Sequence, residues 1–64
     1  MNIYKTKDGQ YINMDNVFMV DARNPENISI GFAYDSYITL KGDAAKSFLD
    51  YLNRRLNTVF EGYA

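Results

Sequence analysis

The apolar residues of this chain change their period once. From Ile12 to Leu40 most of them fall on even positions, at Ile12, Met14, Phe18, Val20, Ile28, Ile30, Phe32, Ile38 and Leu40. From Ala45 onward they recur every three or four residues, at Phe48, Leu49, Leu52, Leu56, Val59 and Phe60. A period of two belongs to half-buried strands, and a period near 3.6 belongs to one face of a helix. Strands followed by a single amphipathic helix bury both apolar surfaces when the helix lies on the even face of the sheet. The spacing therefore predicts an α+β fold. It is a four-stranded antiparallel β-meander followed by one C-terminal α-helix packed on one sheet face, in two layers. At 64 residues the chain holds one domain, 1–64.

Turn residues set the expected strands at about 3–7, 10–22, 28–34 and 37–41, with the helix at about 44–60. Asp8-Gly9 suits a two-residue type I′ turn, which pairs Ile3 with Met14 and Tyr4 with Asn13. Parity continues across Asp15-Asn16, so that pair reads as a bend or bulge inside one long strand. The cluster Arg23–Asn27 breaks the ladder with Pro25 and sets Ala22 against Ile28, Val20 against Ile30 and Phe18 against Phe32. A loop at Tyr34-Asp35-Ser36 pairs Phe32 with Ile38 and Ile30 with Leu40. A two-residue loop at Asp35-Ser36 would put the apolar residues of the two strands on opposite faces, so burial selects the longer one. Asp43, just ahead of Ala44-Ala45, reads as the helix N-cap, and Gly62 as a stop.

The odd face of this sheet carries Tyr4, Tyr11, Val17, Met19, Gly31, Ala33 and Tyr37. An uncovered sheet face is ordinarily polar, with tyrosine and threonine present simply as good strand formers. Val17 and Met19 are not needed there for solubility. Ser29, Gly31 and Ala33 form a small-residue strip that another backbone or a large side chain can approach closely. These seven residues are the candidate interaction face.

Catalytic chemistry finds little to work with. The chain has no Cys and no His, which removes thiol nucleophiles, imidazole bases and Cys/His zinc sites. Asp43 and Asp50 share a helix face about 10.5 Å apart along the axis, and a cap plus a surface charge explains them. Ser29, Ser36 and Ser47 lack an activating partner, and the four glycines are scattered rather than gathered into a phosphate-binding loop. No cofactor or metal is expected.

The formal net charge of −1 argues against a strongly basic nucleic-acid or membrane-surface protein. Tyrosines on a sheet can stack bases, and the strands-then-helix order resembles some single-strand nucleic-acid binders in architecture alone. By parity Lys5 and Lys7 point to the helix side, leaving Lys41 against Asp15 and Asp21, whereas phosphate binding needs several cations on one face. Nucleic acid is thus a disfavoured alternative. No apolar run approaches a membrane span or a signal segment, and the sequon Asn27-Ile28-Ser29 has no export signal with it. The cadence of Tyr11–Val17 and Ile38–Ala44 is similar to that of many small bacterial and phage proteins and names no family. The expectation is a cytoplasmic, non-enzymatic protein that acts by association with protein partners as regulator, adaptor or inhibitor. It would form a homodimer through the open sheet face.

Overall fold

The structure, a computed structural model, describes residues 2–55. Strands β1 (Ile3–Lys5) and β2 (Tyr11–Asn13) form one antiparallel hairpin. A 3₁₀ turn over Met14–Asn16 leads to β3 (Met19–Asp21), β4 (Asn27–Gly31) and β5 (Tyr37–Lys41), which form a second antiparallel sheet in the order β3-β4-β5. Helix α1 (Gly42–Arg55) follows at once. The α+β class stands, but the expected single four-stranded sheet is five strands in two sheets.

The division falls at Asp15-Asn16. There the Asn13 side chain accepts the Asp15 N–H at 3.1 Å, and the Val17 N–H reaches the Met14 carbonyl at 3.4 Å. Local bonding of this kind replaces ladder bonding, so the strand expected over 10–22 is cut in two.

Register differs from expectation in two instructive ways. In the first hairpin Tyr4 pairs with Ile12 and Lys5 with Tyr11, one residue away from the expected register. The loop is Lys7-Asp8-Gly9. It is closed by Thr6 N–H to the Gln10 carbonyl at 2.7 Å, with Gly9 at φ +98 supplying the left-handed third position. Thr6, itself buried, accepts the Gln10 N–H on its hydroxyl at 2.7 Å and donates to the Asp8 carboxylate. That one-residue slip exchanges the faces of β1. In the second sheet Val20 pairs with Ile30, as the spacing predicts. Ile30 pairs with Ile38 and Ile28 with Leu40, two residues from the expected register, so parity and faces are kept.

The covered face gathers Ile28, Ile30 and Leu40 beneath Ala45 and Phe48, all fully buried, with Ile12 and Ala44 closing the sides. Each large side chain in that set is worth roughly 1.5–3 kcal/mol of burial. Leu49 and Leu52, which the spacing places on the buried helix face, pack against this core but are only half-buried. Gly42 still donates its N–H to the Glu26 carbonyl at 2.9 Å while its φ of +57 starts the helix. Helix α1 thus begins one residue ahead of Asp43, which the spacing predicts as its N-cap. Asp43 falls in the first turn, where its charge faces the positive end of the helix dipole. Leu56, Val59, Phe60 and Gly62, which the spacing assigns to the end of the helix, lie outside the described residues.

Candidate functional site

Alternation along three short strands builds the other face. Met19 pairs with Gly31 and Gly31 with Tyr37, so these three form one row across the sheet; Asp21, Ser29 and Thr39 form the next row. A glycine between two long side chains leaves a trough, and here it is a groove of about 750 Å³. Phe18 and Met19 stand on its β3 side, and Ala33, Tyr34 and Tyr37 on its β5 side. Phe18 is 83% exposed, Met19 60%, Tyr34 98% and Tyr37 70%.

Of the seven expected face residues, Met19, Gly31, Ala33 and Tyr37 come together in this groove. Tyr4 does not. The register slip turns it under the helix, with its ring 5.3 Å from Phe48 and 4.4 Å from Tyr51, centroid to centroid. Burial pushes its hydroxyl pKa above the ordinary value, and Tyr51 and Asp50 add to the shift. Val17 is half-buried against the core. Tyr11 is 70% exposed but belongs to the first hairpin, outside the groove. The same slip moves Lys5 away from the helix side, its ammonium 5.6 Å from the Tyr11 ring centroid.

Phe18 and Tyr34 are additions that parity did not offer. Phe18 was expected opposite Phe32 on the covered face. Instead its N–H donates to the Gly31 carbonyl at 2.8 Å beside the Met19–Gly31 pair. Two residues thus oppose one, as in a β-bulge, and Phe18 turns out beside Met19. Tyr34 sits in the turn Ala33–Ser36, whose two central residues, Tyr34 and Asp35, have φ of 62° and 59°. Left-handed backbone costs a non-glycine residue roughly 1–2 kcal/mol. A bulky ring at such a place is uncommon, and a turn signal with Gly or Asn is absent from the sequence here.

The charges near the groove are few. Asp21 accepts from Arg23 through its Nη2 at 2.7 Å, its Nε at 3.0 Å and its backbone N–H at 3.2 Å. Those hydrogen bonds hold the Asp21 carboxyl at about 2. Asp35 lines the groove, and Lys41 lies at the far end of the same face. Elsewhere Asp50 pairs with Arg54 at 3.2 Å and Glu26 with Lys46 at 3.5 Å. Among the described residues no group of three or more acidic side chains is placed to hold a metal ion, and no helix is long and apolar enough to cross a membrane. No family model, curated protein or solved structure matches the chain.

Proposed function

We propose that this is a small non-enzymatic protein that works by protein–protein association through the uncovered face of its second sheet, with a second copy of the chain as its first partner. The observation that supports this most is the row Met19–Gly31–Tyr37 flanked by Phe18 and Tyr34. It is an apolar groove with four large exposed side chains on its walls. Contiguous apolar surface of this kind marks interaction sites. A role as regulator, adaptor or inhibitor follows from association without chemistry.

Stacking of single-stranded nucleic acid on the same aromatic side chains is the second reading, favoured by ring exposure alone. It is weakened by charge, since Arg23 is engaged by Asp21, Asp35 lines the groove, and Lys41 lies at the far end of the face. Mass measurement in solution across a concentration series tests the proposal. The wild-type chain is expected to dimerise, and Gly31→Arg or Met19→Lys to remain monomeric, because an unpaired charge in a desolvated interface costs several kcal/mol. Asn53→Lys, on the exposed side of the helix, should leave the dimer intact. If the wild type is monomeric and either cationic variant binds an oligonucleotide more tightly at low salt, the second reading replaces the first.

A further inference from the structure

Tyr34 and Tyr37, both exposed, line the groove together with Gly31, whose missing side chain leaves room beside them. A two-fold axis through such a face would set the exposed rings of each copy against the groove of the other, as a self-complementary interface requires. We infer that the homodimer, whose existence rests on the association reading above, is anchored by Tyr34, the ring of each copy seated over Gly31 of the other.

Three observations support a second copy as the occupant and Tyr34 as the anchor. Area is the first. Side chains of Phe18, Tyr34 and Tyr37 alone leave on the order of 400–600 Å² uncovered, at ~150–250 Å² per aromatic. Met19 and the groove floor carry the patch toward the ~800 Å² per partner of a standard interface. Charge is the second: with a formal net charge of −1, two copies meet with little repulsion. The face offers no one-sign field that would select a strongly acidic or basic partner, because Asp21 is engaged by Arg23 and the remaining charges, Asp35 and Lys41, are one of each sign. The third is the backbone. Tyr34 is 98% exposed and makes no contribution to the core, yet it occupies a left-handed position that Asn or Gly would fill with less strain. That turn leaves a large, rigid ring exposed at the groove, and tyrosine is among the side chains that most often carry binding energy in interfaces.

Sedimentation equilibrium on the full chain, run beside thermal melts, tests this. Melted at a dilution where the wild type is monomeric, Tyr34→Asn is expected to match the wild-type temperature or exceed it, because the turn accepts Asn, while the dimer dissociation constant rises at least tenfold. Tyr34→Phe, which keeps the ring, should stay within about threefold of wild type, a difference near 0.65 kcal/mol by RT ln 3. A Tyr34→Asn dimer of unchanged affinity, with Gly31→Arg monomeric, overturns the anchor and leaves the open-face reading standing. A wild type that dimerises equally well with Gly31→Arg and with Tyr34→Asn places the contact on another surface and overturns both. A wild type that stays monomeric at every concentration also overturns both.

Discussion

The two faces of the β3-β4-β5 sheet are made from alternate residues of the same strands, yet they obey different rules. On one side Ile28, Ile30 and Leu40 are wholly buried beneath Phe48. On the other side, Met19 and Tyr37 are 60% and 70% exposed with no covering layer among the described residues. Residues of the first kind are constrained by volume, since interiors pack like crystals and feel a single methylene. Residues of the second kind are constrained only by strand geometry. The fold asks nothing of Met19, Phe18 or Tyr34 that Thr or Lys would not supply, so their apolar character points beyond the fold.

That contrast breaks most visibly at Phe48. Phe48→Ala should cost ~3–5 kcal/mol, enough to abolish a cooperative urea transition in a chain whose total stability is marginal. Tyr37→Ser across the sheet should change the stability of the dilute protein by less than about 1 kcal/mol. If the two variants unfold alike, the helix is not the cover described here.

The next effect has the opposite sign. Replacing Tyr34-Asp35 by Asn-Gly relieves two left-handed residues, and denaturation should show a gain of ~1 kcal/mol after the extra flexibility of Gly in the unfolded chain is set against it. A loss instead would mean that the Tyr34 ring supports the sheet in the monomer. Asp43→Ala should cost ~0.3–1 kcal/mol, the size of a dipole interaction; a larger loss would restore the capping role to Asp43.

The smallest effects depend on pH and separate the faces once more. Under the helix, Tyr4 has a raised pKa. Its stabilising share is complete below the unfolded value of 10.0 and declines as pH rises through the higher folded value. Urea midpoints taken upward from pH 9 should fall less steeply in Tyr4→Phe. On the open face, Asp21 has a lowered pKa. Its share is complete above the unfolded value of 3.8 and is lost as pH falls through about 2. Asp21→Asn should flatten the acid limb over that window, and an unchanged limb would assign the acid sensitivity to other carboxylates.

Much of this architecture was legible in parity. The helix face, the covering of Ile28, Ile30 and Leu40, and the Val20–Ile30 pairing all follow from apolar spacing, because burial punishes any odd-numbered slip. An even slip goes unpunished. That is why the β4–β5 register is displaced by two residues while its faces are right. In the first hairpin the choice between a two-residue and a three-residue loop turned on the Thr6 hydroxyl and its bond to Gln10. Such a local preference has no periodic signature, and misreading it put Tyr4 on the wrong face. The candidate site was half legible: Met19, Gly31, Ala33 and Tyr37 by alternation, but not Phe18 or Tyr34. A bulge interrupts alternation at the first, and the second lies in a turn where alternation has no meaning.

Gly42 has a consequence for how the molecule opens. Its N–H closes the last rung of the sheet on Glu26, and its φ of +57 begins the helix, so strand and helix meet with no linker between them. A linker would let α1 lift and reseat while the sheet stayed intact. Here, lifting the first turn pulls on that rung, and freeing the rung loosens the first turn. The amides of β5 and of the first half of α1 should therefore exchange with solvent deuterium through one shared opening, as a single cooperative unit. The short β1–β2 hairpin is held to α1 by side chains, Tyr4 against Phe48 and Tyr51, so its amides should exchange through the opening that releases those rings.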